Sequence, residues 1–83
     1  MFKVVLHTTA GNEFLSLKKK DKLLVANKLK NLKAGNFTGD KLLQGKHKGK
    51  YRKRAGNFRI VYLRENKIVL ITVIRIAHRK EVY

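Results

Sequence analysis

Residues 51–62, YRKRAGNFRIVY, constrain the fold of this chain more than any other stretch. Two β-like segments, in which cations stand among aromatic and β-branched residues, are joined at Gly56-Asn57, a pattern typical of two strands with a tight turn. Because alternate side chains of a strand point to one face, we expect Arg52 and Arg54 on the same side, roughly 6 to 7 Å apart. That separation is close to the phosphate repeat of a nucleic acid strand. The sequence therefore predicts a cationic hairpin suited to a polyanion.

The composition supports a polyanionic partner. The 83 residues include 21 Lys and Arg against 5 Asp and Glu, which gives a net charge of +16, and such an excess favours nucleic acid binding. The length predicts one domain, 1–83. There is no cysteine, which excludes disulfides, a thiolate nucleophile and cysteine-based zinc sites. No signal peptide and no run of about 20 apolar residues is visible, so we expect a cytoplasmic protein without a membrane partner.

The remaining segments predict two helices and further strands. A first strand is expected over 2–7, followed by a helix capped by Thr8 or Thr9 that runs into the lysine triplet 18–20. A second helix begins with Asp21 as its cap and ends at 35–36. The stretch 37–50 reads as mostly irregular, with Leu42 and Leu43 under the sheet edge. Strands are expected over 50–55, 58–64 and 68–76, the last as a central strand because it is almost continuously apolar.

This order, β-α-α-β-β-β, predicts an α+β fold. Hairpin-length connections between the last three strands imply a small antiparallel-dominated sheet, with the N-terminal helical hairpin packed on one face. The opposite face is then open. We expect cationic side chains of the hairpin and of the tail 77–83 to converge there.

The residue types exclude several chemistries. The three histidines are far apart and lack carboxylates at ligand spacing, so no metal and no cofactor is expected. Cations, His78 and Tyr83 are nevertheless sufficient to cleave RNA, because the ribose 2′-hydroxyl is an internal nucleophile that needs alignment, charge stabilisation and proton transfer. Arg59 and its neighbours suit the phosphate, His78 a proton shuttle, and Tyr83 the ribose or a base. Each also has a purely structural interpretation, as an edge ion-pair partner, a packed imidazole or a terminal ring.

Three motifs together resemble the RelE/ParE toxin superfamily of toxin–antitoxin modules. They are KLLQG at 41–45, the 51–62 hairpin, and HRKEVY at 78–83. The resemblance covers essentially the whole chain and is closest to the RelE-like branch, which cuts messenger RNA in the ribosomal A site without a metal. It implies the toxin of a type II system, an mRNA interferase. The implied partners are mRNA, the ribosome with its 16S rRNA, and a RelB-like antitoxin whose acidic segment wraps the basic face.

The resemblance also implies a set of site residues. Those matching catalytic positions are Arg52, Arg54, Arg59, His78, Arg79 and Tyr83. Those expected to bind RNA are Lys46, Lys48, Lys50, Lys53 and Arg75. Arg79 matches the arginine that contacts the scissile phosphate or assists the leaving group in this family. The glutamate that some members use as general base has no counterpart, since no acid stands between Asp40 and Glu65.

Two other functions fit the same sequence. ParE-like toxins share the expected fold but inhibit DNA gyrase, and they do not keep the combination of histidine, arginine and tyrosine at the tail. A non-catalytic RNA-binding module would bind RNA and leave it intact. Composition does not separate this module from a nuclease.

Overall fold

A five-stranded sheet with two helices on one face forms the molecule. The computed structural model describes residues 1–81. The elements in chain order are β1 (Lys3–Leu6), α1 (Thr8–Leu15), α2 (Lys19–Lys33), β2 (Lys41–Leu42), a 3-10 helix (Gly45–His47), β3 (Tyr51–Ala55), β4 (Phe58–Glu65) and β5 (Leu70–His78). The strand order is β1-β5-β4-β3-β2. β1 runs parallel to β5, and the other neighbours are antiparallel. The predicted α+β class with an N-terminal helical hairpin is confirmed.

The helices bury one face of the sheet. The core joins Val25 and Leu32 of α2 to inward residues of β4 and β5, among them Ile60 and Tyr62, all fully buried. These two alternate with outward-facing residues of β4, as the pleat requires. Burying branched side chains of this kind stabilises a fold by about 1.5 to 3 kcal/mol each. Neither α1 nor α2 packs on the sheet side that carries Arg59, where Leu43 instead packs with Val61 and Ala77.

The helix boundaries differ from the prediction. No side chain caps α1, whose N-terminal flanking residue is His7, so the predicted threonine cap is wrong. The helix ends at Leu15, before the lysine triplet, where Ser16 Oγ donates to the Asn12 carbonyl at 2.9 Å. α2 begins at Lys19, so Asp21 lies in its first turn and not at its cap. A carboxylate in that turn still complements the positive end of the helix.

The strand β2 was not predicted because two residues carry no periodic signal. Lys41 pairs with Arg52 and Leu42 with Tyr51. The prediction that both leucines are covered is wrong for Leu42, which is 54% exposed on this short edge strand, and right for Leu43.

Helix α1 covers the part of β5 that β1 does not reach. β1 pairs with β5 only as far as Val73. Beyond it, Glu13 of α1 accepts a hydrogen bond from the Ile76 backbone N–H at 2.8 Å and pairs with the Arg75 guanidinium at 2.8 Å. The hydrogen bond that the Arg75 guanidinium donates to Glu13 is the main cause that raises the pKa of Arg75. The Glu13 carboxylate therefore accepts a backbone hydrogen bond at the edge of the sheet and also pairs with a cation. No helix within residues 1–81 has the length and apolar character to cross a membrane.

Candidate nucleic-acid interface

Three arginines share the face of the sheet that the helices leave uncovered. Arg52 and Arg54 alternate along β3, and Arg54 lies directly opposite Arg59 of β4. Directly opposite residues have Cβ atoms about 4.5 to 5.5 Å apart, and like charges in such a pair destabilise a sheet. Lys41 of β2 stands opposite Arg52 on the same face. We call Arg52, Arg54 and Arg59 the arginine row.

Arg59 is buried and held by backbone carbonyls. It is 7% exposed, and its Nη1 donates to the backbone carbonyls of Gly56 and Phe58, both at 3.0 Å. These carbonyls belong to the hairpin turn and to the start of β4. The turn therefore orients the guanidinium before any ligand arrives, which lowers the cost of ordering it on binding.

A small apolar cluster supports the same face. Leu43, from the segment after β2, packs with Val61 and Ala77. The segment continues through the 3-10 helix to Lys50, which is half-buried beside β3. The exposed lysines of this segment are Lys46 and Lys48. Three of the predicted RNA-binding lysines thus lie on the segment that leads into the arginine row.

A register shift in β5 decides which tail residues share the face of the arginine row. Val61 pairs with Arg75 and Tyr62 with Val73, so Ile74 is an extra residue. An extra residue reverses the alternation of the strand beyond it. Ala77 consequently pairs with Arg59. Arg79, two residues further on, is exposed and its N–H donates to the Asn57 carbonyl at 2.8 Å, which places it at the hairpin turn beside the row.

The same register places His78 on the helix side. His78 pairs with Phe58 and contacts its ring edge-to-face, with centroids 5.7 Å apart. It lines a cleft of about 520 Å³ between the helices and the end of β5. Three of the five acidic residues of the chain line this cleft: Glu13, Asp21 and Glu81. The cleft lining thus holds three acids and one lysine, Lys18, in contrast to the arginine row, and the predicted cluster of His78 with the arginines does not form on one face.

Two predicted RNA-binding residues lie elsewhere. Lys53 is 4% exposed, points into the helix side of β3, and pairs through Nζ with Asp40 Oδ1 at 2.9 Å. Arg75 is held by Glu13 at the edge of β5. The structure corrects their placement: one is in the core, the other in an ion pair with a helix. Both residues lie in cationic stretches of the sequence. Lys53 is away from the open face because strand alternation places it on the helix side, and Arg75 because it pairs with Glu13 at the edge of β5.

Asp40 is the important residue that the sequence analysis missed. Its carboxylate pairs with Lys53 and also accepts the hydroxyl hydrogen bond of Tyr62. Burial, and then the hydrogen bond to Asp40, raise the pKa of Tyr62 well above its usual value of 10.0. Asp40 is the only acid between Asp21 and Glu65, and a lone carboxylate in a basic stretch was the available signal. This network joins the loop before β2 to β3 and β4, and so supports the arginine row from behind.

Two further predicted features concern metals and the last tyrosine. Residues 1–81 contain no group of three or more His, Asp or Glu side chains arranged to hold a metal ion. The predicted site residue Tyr83 lies outside the described residues. The described candidate site is therefore the arginine row with its flanking lysines and Arg79.

Comparisons with known proteins identify the fold. No protein-family model and no curated protein matches the sequence. Among solved structures, a chain of the RelBE2 toxin–antitoxin complex from Mycobacterium tuberculosis is similar with a TM-score of 0.84 at 22% identity, over 94% of this chain and 98% of that one.

Two other structures give the same result. The archaeal RelE-RelB complex from Pyrococcus horikoshii has a TM-score of 0.81 at 20% identity, covering 98% of both chains. The isolated RelE toxin from Escherichia coli has 0.76 at 18%, over 94% of this chain and 84% of that one. The chain has the fold of the RelE/ParE toxins.

Proposed function

We propose that this protein is a toxin of the RelE/ParE superfamily and acts as a ribosome-dependent mRNA endoribonuclease. The observation that carries the proposal is the arginine row: Arg54 lies directly opposite Arg59 on the sheet face that α1 and α2 leave free, in a chain with net charge +16. Arg54 is exposed on that face, and guanidinium groups pair well with phosphate oxygens, so this face suits a bound polyanion. The fold shared with RelE structures agrees with the resemblance to the RelE-like branch, and that resemblance is the reason for choosing RNA over other polyanions.

The proposed reaction uses the substrate's own nucleophile. The ribose 2′-oxygen attacks the adjacent phosphorus, the bond to the 5′-oxygen breaks, and the products carry a 2′,3′-cyclic phosphate and a 5′-hydroxyl. Negative charge accumulates on the phosphoryl oxygens in the transition state. The guanidinium groups of the arginine row, together with Arg79, donate charge-assisted hydrogen bonds to these oxygens. Removal of one such preorganised donor costs about 10² to 10³ in rate.

Two protons move in this reaction. One leaves the 2′-hydroxyl and one reaches the departing 5′-oxygen. His78 Nδ1 accepts the Lys80 N–H at 3.3 Å, so in the neutral ring Nε2 carries the proton. In the proposal His78, at the end of β5, and Tyr83 transfer the protons, while the arginine row holds the phosphate. Since His78 faces the helix side, it serves a leaving group that passes the end of the sheet near Arg79.

The proposal includes protein and nucleic acid partners. Two of the similar solved structures are toxin–antitoxin complexes, and an antitoxin with an acidic segment complements the uncovered basic face. In the cytoplasm the free toxin would enter the ribosomal A site, where its other cations contact 16S rRNA. Binding to the antitoxin and to RNA are therefore mutually exclusive in this proposal.

The test is primer extension on a message in translating ribosomes. Wild-type protein is expected to produce cuts within A-site codons, and a message with 2′-deoxyribose throughout that codon should stay intact. Arg54→Gln is compared with Lys67→Gln, which removes one exposed cation at the opposite end of the sheet. Intact message combined with inhibition of DNA gyrase supercoiling would replace this proposal with the ParE-like one. RNA binding without cutting in any ribosomal context would leave only an RNA-binding module.

A further inference from the structure

A second concave surface lies beside the arginine row, on the outer edge of β3. It is a groove of about 460 Å³ between α2, the loop that precedes β2, and β3. This volume falls within the range of about 300 to 1,000 Å³ typical of small-ligand sites. Its polar lining includes Lys28, Asn31, Asn36, Thr38 and Arg54. We call it the Lys28 groove.

Positive side chains outnumber negative ones in the lining of the Lys28 groove. Asp40 is the only acid among its lining residues, and its carboxylate is already paired with Lys53 at 2.9 Å. Lys28 and Arg54 add two cations without a carboxylate in the lining to offset them. The groove therefore favours an anionic ligand, and its floor is an ion pair that is already neutral.

The uncharged polar groups distinguish between anionic ligands. Asn31, Asn36 and Thr38 supply carboxamide and hydroxyl groups, which donate and accept hydrogen bonds. The Asn36 carboxamide is oriented, since its Oδ1 accepts the Thr38 N–H at 3.1 Å. The carboxylates of an acidic peptide only accept hydrogen bonds, and its donors are confined to the backbone. A nucleotide offers donors and acceptors on its base edge and its 2′-hydroxyl, together with a phosphate.

The Lys28 groove is continuous with the arginine row. Arg54 belongs to the row through its pairing with Arg59 and also lines the groove. β2 pairs only with Tyr51 and Arg52 of β3, so β2 does not separate the two surfaces at Arg54. A single strand lying on the row can thus turn over the edge of β3.

We propose that the Lys28 groove binds one nucleotide of single-stranded RNA that flanks the phosphate held by the arginine row. Lys28 contacts the phosphate of that nucleotide, and Asn31, Asn36 and Thr38 contact its base or ribose. The inference rests on the proposed function in taking RNA as the substrate. It adds a subsite on α2, an element that the reaction itself does not use.

The experiment measures equilibrium binding of a short, labelled single-stranded RNA over a series of salt concentrations. Lys28→Gln is compared with Lys30→Gln, an exposed lysine of the same helix outside the groove. Both variants remove one charge from the full chain. Lys28→Gln should decrease the slope of log affinity against log salt by about 0.7, the contribution of one phosphate contact on a single strand, whereas Lys30→Gln should keep the wild-type slope.

A second pair tests the groove by repulsion. Asn31→Asp places a carboxylate in the groove, and Asn27→Asp places one on an exposed position of the same helix. Weaker binding by Asn31→Asp alone supports the groove. Equal RNA binding by the two members of each pair overturns it. The proposal is also overturned if Lys28→Gln weakens the binding of poly-glutamate, which stands for an acidic peptide, and leaves RNA binding unchanged. Normal message cleavage alongside equal RNA binding would refute the groove only, and groove-dependent RNA binding without ribosomal cleavage would refute the proposed nuclease only.

Discussion

Replacement of Asp40 by asparagine should destabilise this protein more than any surface change. Asp40 and Lys53 have side chains that are 4% and 6% exposed, and their ion pair spans 2.9 Å. Asparagine keeps an oxygen that accepts the Tyr62 hydroxyl but leaves the Lys53 ammonium buried without a counter-charge. Removal of one partner of a buried ion pair costs about 3 to 5 kcal/mol. A domain of this length has a free energy of unfolding of only about 4 to 12 kcal/mol.

The loss is large enough to measure by two methods. For a chain of this size each 1 kcal/mol lowers the melting temperature by about 4 to 8 °C, so Asp40→Asn should lower it by at least about 12 °C. Urea denaturation should show a lower midpoint with an unchanged slope. The double variant Asp40→Asn, Lys53→Met removes the buried charge and should recover most of the stability. A loss below about 1 kcal/mol in the single variant, or no recovery in the double variant, would refute this account of the core.

Three more predictions concern single contacts. Gly56→Ala should lower the free energy of unfolding by more than about 1 kcal/mol, because Gly56 has φ of +61° and an added Cβ would lie 2.6 Å from Leu24 Cδ2. In urea denaturation, the double variant Gly56→Ala, Leu24→Ala should recover the part of this loss that comes from the clash with Leu24. Because the pKa of Tyr62 is raised in the folded state, the unfolded chain loses this proton first as the pH rises above about 10. The free energy of unfolding should therefore fall by about 1.4 kcal/mol more in wild type than in Tyr62→Phe between pH 9 and 11, and parallel pH profiles would contradict the raised pKa. Glu13→Ala should cost about 1 to 3 kcal/mol by leaving the Ile76 N–H without its acceptor; hydrogen exchange at Ile76 should accelerate, and unchanged exchange would show that Glu13 does not cap this edge.

Local patterns predicted the hairpin and the fold class well. The residue pattern around the turn at Gly56 predicted the bounds of β3 and β4 to within one residue at each end. It could do so because successive side chains of these strands face the helix side and the open side of the sheet in turn. The continuous apolar run gave β5 as a central strand. Its start was predicted two residues early, since Ile68 and Val69 are apolar but lie in the turn, where Val69 has φ of 54°. Because Ile68 and Val69 continue the apolar run, the sequence pattern does not distinguish these turn residues from residues of the strand.

The composition of the candidate site was harder to predict than its location. The uncovered face and its arginines follow from strand alternation. The position of His78 on the helix side, away from the arginine row, follows from the extra residue at Ile74, and a single β-bulge leaves no periodic signal in a strand of nine residues. Likewise, the burial of Lys53 depends on Asp40, thirteen residues earlier in a segment without regular structure. Both features are set by tertiary packing and not by local sequence.

The most direct test of the account is the rate of A-site cleavage under single-turnover conditions on translating ribosomes. Wild type is compared with Arg54→Gln and with Lys67→Gln, which have equal net charge, after thermal unfolding has established that both variants are folded. Cleavage by Arg54→Gln should be slower by about 10² to 10³, and Lys67→Gln should cut within a few-fold of wild type. Equal cleavage rates for the two variants would contradict the claim that the arginine row is the site of the reaction.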